Sequence, residues 1–114
     1  MSIEAASGLA FAPATPADMP FIRGQLERER LDTELLEPEQ FIAIREDGRI
    51  IACGRIKPYE QTYELGSVWV AEDHRGRRLG EMITRELVRR FPQDEVYITT
   101  DAAVWAAVLD AKGA

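Results

Sequence analysis

The sequence is poor in the residue types that most often announce a chemistry. It has one cysteine and one histidine in 114 residues. A single thiol cannot close an internal disulfide, and Cys53 lies in an apolar run, so it reads as a buried, inert side chain in a reducing compartment. With only His74 available, no Cys/His/carboxylate cluster has metal-ligand spacing, and no Ser–His–Asp arrangement can be argued. No stretch approaches the roughly eighteen apolar residues that a membrane span needs. The N-terminus also lacks a basic segment followed by an apolar core, so neither membrane insertion nor secretion is expected, and the location is cytoplasmic by default. Positive charge is in deficit: 14 Lys and Arg against 20 Asp and Glu give a net charge of −6. That balance disfavours nucleic acid as the main partner and suits a cationic acceptor. Repeats, low-complexity tracts and linkers are missing too, which predicts one domain over residues 1–114.

What is present is concentrated in residues 63–91. Leu65, Val68, Trp69 and Val70 predict a strand that ends at the polar turn of residues 72–74. Leu79, Ile83 and Leu87 recur at fours, with Met82, Val88 and Phe91 widening the same stripe, which predicts a helix. Between the two runs a basic, glycine-containing loop, Arg75-Gly76-Arg77-Arg78-Leu79-Gly80. It feeds a helix N-terminus, where backbone N–H groups lack intrahelical acceptors and the peptide dipoles place partial positive charge. Such an end suits an anion, and glycine lets a phosphate approach the backbone. The same loop can also be read as an ordinary soluble turn.

Elsewhere the elements are scaffold. Residues 9–12 predict a short first strand. Thr15, Pro16 and Asp18 read as N-cap, first helical position and acidic first turn of a helix. Along it Phe21, Ile22, Leu26 and Leu31 are expected to face inward. Residues 32–39 form an acidic connector carrying Asp32, Glu34, Glu37 and Glu39, read as solvated. Residues 41–45 and 50–57 are apolar runs joined through Asp47-Gly48, a hairpin signal, with Pro58 closing the second. A strand at 96–100, reached by a right-handed helical crossover, should lie parallel to the 63–70 strand. The apolar residues of 101–112 predict a last helix.

Arg75-x-x-Arg78-x-Gly80 after a strand ending in valine resembles the acyl-CoA pyrophosphate loop of the GNAT acetyltransferase superfamily, written Gln/Arg-x-x-Gly-x-Gly/Ala. Arg78 stands where the pattern has its first glycine. The resemblance implies an α/β (α+β) fold: a GNAT-like mixed, mainly antiparallel sheet flanked by helices, here without the two closing C-terminal strands. It also implies acetyl-CoA as cosubstrate, with coenzyme A bound by Val68, Trp69 and Val70 along the strand and by Arg75, Gly76, Arg77, Arg78, Leu79, Gly80 and Glu81 at the loop and helix start. A main-chain N–H at a bulge near Val68 and Trp69 would meet the acyl carbonyl, with Gly66 relaxing the strand, and the fourth and fifth strands would splay to admit the pantetheine arm.

By the same resemblance Glu64, six residues before Val70, is the candidate base that takes the proton of a small-molecule or peptide amine. A strand glutamate facing solvent is the other reading. Strict alternation would put Glu64 on one face with Gly66, Val68 and Val70. The family's tyrosine acid is replaced: counting back from Gly113 puts Leu109 in its place, and leucine donates no proton. Tyr63 and Tyr97 read as packing, His74 as an exposed neighbour of the loop, and Asp101 as an N-cap. An exposed edge on the 96–100 strand would favour a homodimer. Two functions follow: an N-acetyltransferase acting by direct attack, or a noncatalytic acyl-CoA-binding or protein-interaction module on the same fold.

Overall fold

A computed structural model describes residues 9–59, 62–90 and 97–98. The chain runs β1 (Leu9–Pro13), α1 (Met19–Arg28), β2 (Phe41–Glu46), β3 (Arg49–Tyr59), β4 (Thr62–Val70), α2 (Leu79–Arg90) and β5 (Tyr97–Ile98). Single 3-10 turns occupy Pro16–Asp18, Pro38–Gln40 and Glu72–His74. The strands form one sheet in sequence order, antiparallel from β1 to β4, with β5 parallel to β4. The mixed, mainly antiparallel sheet is therefore as expected. The expected helix at 101–112, with Asp101, Leu109 and Gly113, lies outside the described residues, as do Phe91 and the ends of the 96–100 strand.

The β2–β3 hairpin follows its local chemistry. Asp47 and Gly48 take φ of 51° and 79° between the paired residues Glu46 and Arg49, the two left-handed positions that a tight hairpin turn requires. β3 continues past Pro58, which pairs with Tyr63. β2 pairs with β3 only as far as Arg55, so Pro58 sits where one side of β3 is an edge and a missing N–H is tolerated.

Register assigns the two faces of the sheet. Ala52, Gly54 and Ile56 on β3 share a face with Leu65 and Val70 on β4, and this face packs on α2 through Leu79, Ile83 and Leu87. Cys53, Arg55 and Lys57 point the other way, toward α1 and the 31–40 connector. Burial pushes the Cys53 thiol up to about 12, which makes it the inert side chain expected.

The predicted helix start is a 3-10 turn: Thr15 caps Pro16–Asp18, and α1 itself begins three residues later, at Met19. The Asp18 carboxylate accepts from the Thr15 N–H at 2.8 Å and the Thr15 hydroxyl at 3.1 Å, and pairs with Arg45 at 2.5 Å. Ile22 and Leu26 are fully buried, whereas Phe21 is 42% exposed and meets Trp69 edge-on at 5.7 Å, a rim contact rather than a core one. The helix ends in a Schellman motif: the Leu31 N–H donates to Leu26 O at 2.8 Å and the Arg30 N–H to Glu27 O at 3.1 Å. Arg30, at φ 58°, fills the left-handed position usually given to glycine. This turn aims the connector back across β3 and β4.

Gly54 lies where Ile83 and Leu87 of α2 press closely on the sheet. A Cβ there would lie 2.6 Å from Ile83 Cγ2 and 3.2 Å from Val68 Cγ2. Gly54→Ala should therefore destabilise the protein by about 1 kcal/mol, overpacking outweighing the ordinary gain from replacing a strand glycine. Chemical denaturation checks this; equal or greater stability of the variant would show that the contact yields freely.

Candidate functional site

β4 is not a regular strand. Cys53 pairs with Trp69 and Arg55 with Gly66, so Ser67 and Val68 together oppose Gly54 alone. That is a β-bulge, and its left-handed residue is Ser67 at φ 51°, not Gly66. A non-glycine residue held in this region carries a strain of about 1–2 kcal/mol. The bulge changes the alternation expected from sequence. Glu64 and Gly66 stand over Lys57 and Arg55 on the connector face, while Val68 and Val70 turn to α2, where Gly80 comes within van der Waals reach of both.

On the connector face a buried network ties the bulge down. Arg55, 1% exposed, donates from Nε to Ser67 Oγ at 3.1 Å, from one terminal nitrogen to Leu35 O at 3.3 Å and Gln40 Oε1 at 2.8 Å, and from the other to Asp32 O and Oδ2, both at 3.2 Å. The Ser67 hydroxyl donates in turn to Asp32 O at 2.9 Å. Phe41 lies beneath the guanidinium at 5.6 Å.

Buried Lys57 pairs closely with Asp32 and lies 3.8 Å from Glu64 Oε1 and 3.9 Å from Glu34 Oε2. Burial alone would raise the Asp32 carboxyl, but the Lys57 ammonium and the Glu34 amide outweigh it and hold the group below the ordinary aspartate value. Part of the connector expected to be solvated is thus docked onto two buried cations. Sequence reasoning missed Arg55, Lys57 and Ser67. The available signal was two cations at alternate positions of an apolar strand, which share one face.

Beyond β4 the loop turns with Gly76 at φ 87° and Arg78 at φ 63°. Arg78 occupies a left-handed position, which accounts physically for a glycine preference there. Its side chain is 81% exposed and pairs with Glu81 at 2.9 Å. The first intrahelical bond of α2 runs from the Met82 N–H to Arg78 O at 3.1 Å, leaving the amides of Leu79, Gly80 and Glu81 without helical acceptors. Arg75 is anchored: it donates to Val70 O at 3.1 Å and to Glu29 at 2.8 Å. Arg77 is exposed, and no acidic group among the described residues pairs with it. Glu29, Leu31, Val68, Trp69, Val70 and Arg75 line a groove of about 310 Å³ between the α1 turn and the end of β4.

The sequence matches the Acetyltransferase (GNAT) family over residues 10–108. The chain belongs to the GNAT acetyltransferase family. No curated protein matches it by sequence. Its fold is similar to that of N-acetylglutamate synthase from Neisseria gonorrhoeae, solved with coenzyme A and L-arginine, at 17% identity and TM-score 0.69 over 87% of this chain and 26% of that one. It is also similar to Rv2747 from Mycobacterium tuberculosis, solved in complex with CoA, at 18% identity and TM-score 0.70 over 85% of this chain and 68% of that one. Glucosamine-6-phosphate N-acetyltransferase from Arabidopsis thaliana matches at 15% identity and TM-score 0.61 over 91% of this chain and 90% of that one. This GNAT chain thus spans about a quarter of the length of the Neisseria synthase.

Placed against the sequence reading, the candidate residues fall into two groups on this GNAT domain. Val68, Trp69, Val70 and Arg75 line one groove, and Gly76, Arg77, Arg78, Leu79, Gly80 and Glu81 make the turn into α2. Glu64, with 13% of its side chain exposed, stands apart from them on the connector face beside Lys57. Among the described residues β4 pairs with β5 at Glu64 and Leu65, and the β5 side of 66–70 has no strand partner.

His74 departs from expectation. It is 6% exposed, with Nδ1 2.9 Å from Asp73 Oδ1 and Nε2 2.8 Å from Glu46 Oε1, and it bridges the β2–β3 hairpin to the loop. The hydrogen bonds to Glu46 and Asp73 raise the His74 pKa above its ordinary 6.5, while His74 and Arg49 hold the Asp73 carboxyl down at about 2. With the folded pKa raised, the stabilisation from His74 is complete below 6.5 and is lost as pH rises through the folded value. The melting-temperature gap between the wild type and His74→Gln should therefore be widest near pH 6 and narrow as pH rises to about 9. A gap that widens with pH would reverse the assignment.

Proposed function

We propose that this chain transfers an acetyl group from acetyl-CoA to a primary amine by direct attack, the C–N bond forming as the thioester C–S bond breaks and coenzyme A leaves as its thiolate, with Glu64 receiving the amine's proton. The observation that carries the reading is the bulge at Ser67–Val68, which lies between Glu64 on one side and the groove leading to the α2 N-terminus on the other. The residues present fit coenzyme A. Unsatisfied amides of Leu79, Gly80 and Glu81, behind the left-handed turn of Gly76 and Arg78, form a concavity of N–H donors suited to a diphosphate. Val68, Trp69, Val70 and Leu31 give the groove an apolar wall for a pantetheine arm. When bound, the thioester supplies the acyl carbon that an amine attacks.

The remaining chemistry belongs to the chain. The peptide group between Ser67 and Val68 lies at the register shift against β3, and its amide is the donor this reading assigns to the acyl oxygen. Arg75, fixed to Val70 O and Glu29, holds the start of the loop against the strand. Glu64, partly shielded from water, can accept a proton as the amine attacks. The glutamate and glucosamine-6-phosphate in the names of two of the similar proteins support a small amine as acceptor, with a peptide amine as the wider class.

One observation favours the second reading, a noncatalytic acyl-CoA-binding module: Glu64 Oε1 lies 3.8 Å from Lys57 Nζ, so the carboxylate already faces a buried cation of the chain itself. Turnover separates the two. Glu64→Gln should lower the rate of thiol release from acetyl-CoA with an amine panel by about 10²- to 10⁴-fold while leaving calorimetric CoA affinity unchanged. Wild-type turnover surviving intact in Glu64→Gln would remove this residue as base, and CoA binding with no wild-type turnover on any amine would favour the module.

Arg77→Ala should weaken CoA binding severalfold at low salt, with the difference shrinking above about 0.5 M salt as the exposed charge is screened. A salt-independent loss would point to a packing role for Arg77.

A further inference from the structure

We infer that Arg55 is a positioning residue for acyl transfer, holding the β4 bulge in its left-handed form through Ser67 and holding the connector over it through Asp32, Leu35 and Gln40. The inference rests on the acetyltransferase reading above and names a residue that reading does not use.

A guanidinium has five N–H donors in a fixed plane, and here each has an acceptor. Nε meets Ser67 Oγ, one terminal nitrogen meets Leu35 O and Gln40 Oε1, and the other meets Asp32 O and Oδ2. Two of the residues so held, Ser67 and Leu35, have left-handed backbones, with φ of 51° and 55°. Each is a conformation that an L-residue leaves readily unless something outside it is fixed. Ser67 is held from both sides, because its hydroxyl accepts from Arg55 and donates to Asp32 O.

The orientation of the Ser67–Val68 peptide, and so of the amide assigned to the acyl oxygen, thus depends on a side chain that is itself 1% exposed. Lysine could supply the charge but not the fork, so Lys57, two residues along the same face, cannot substitute. The α2 N-terminus receives no bond from this network, which makes the bulge separable from diphosphate binding.

The test is a substitution series read by steady-state kinetics, CoA calorimetry and amide NMR. Ser67→Ala keeps the Cβ, and with it the backbone strain, while removing both hydroxyl bonds. Ser67→Gly removes the bonds and the strain together, because glycine accepts positive φ. Ser67→Ala and Arg55→Lys should each lower kcat by about 10- to 100-fold through misplacement of the amide, with CoA affinity within about twofold of wild type. Ser67→Gly should recover part of the loss seen in Ser67→Ala, and Arg55→Lys should cost much less in the Ser67→Gly background than alone.

In the free protein, Ser67→Ala should shift the Val68 amide resonance and speed its exchange while leaving the Ile83 amide of α2 unchanged. Equal kcat in all the Ser67 variants, or an unmoved Val68 amide in Ser67→Ala, would overturn the role of Arg55 and leave the acetyltransferase reading standing. A wild type without turnover would overturn that reading and this role together.

Discussion

A guanidinium removed from water must have its N–H groups answered, and the centre of this protein is arranged around that requirement. Arg55 is buried between a strand and a connector, and its five donors reach Asp32, Leu35, Gln40 and Ser67, residues far apart in sequence. Leaving one of these buried donors without its acceptor would be unfavourable by about 1–3 kcal/mol. The network therefore selects one arrangement of the connector over β4 and one geometry of the bulge. Without it, the connector has little apolar surface to hold it in place: Leu35 faces solvent, and only Leu31 and Leu36 pack on the core.

The bulge has a second consequence. By inserting a residue into β4 it divides the strand between two environments. Before it, Glu64 looks toward Lys57 and the connector; after it, Val68 and Val70 look toward α2 and Gly80. A regular strand would have put all of these on one face. The register change lets one strand place a carboxylate on the connector face at one end and apolar side chains against the helix at the other. The loop that follows uses the same device at smaller scale. Arg78 accepts a left-handed backbone so that α2 can start with its amides uncovered, and its charge is directed to Glu81 and solvent.

Electrostatics divides into buried and exposed parts with different jobs. Buried Arg55 and Lys57 are balanced by the carboxylates that face them, Asp32, Glu34 and Glu64, and His74 links Asp73 and Glu46 across the hairpin and loop. The loop arginines stay outside, two of them steadied by carboxylates, Arg75 by Glu29 and Arg78 by Glu81. A net charge of −6 therefore coexists with a local basic rim at the end of the molecule where an anion would approach.

Much of this was open to a reader of the sequence, and for local reasons. Asp47-Gly48 dictates its own turn, Leu79, Ile83 and Leu87 repeat with the helical period, and Arg75-Gly76-Arg77-Arg78-Leu79-Gly80 carries its anion-binding character in the chain direction itself. Those signals need only neighbours within a few residues, so the element order, the meander and the loop were legible. The faces were not. Which way Glu64 points depends on one inserted residue, and that insertion is stabilised by Arg55 and Asp32, 12 and 35 residues from Ser67. The burial of His74 likewise depends on Glu46, 28 residues away. Propensity and periodicity carry no record of such partners, because a buried polar side chain is stable only where folding has brought its acceptors to it. The sequence by itself determined the elements and the character of the loop, and tertiary structure alone decided which charged groups are buried together and where the strand breaks its alternation.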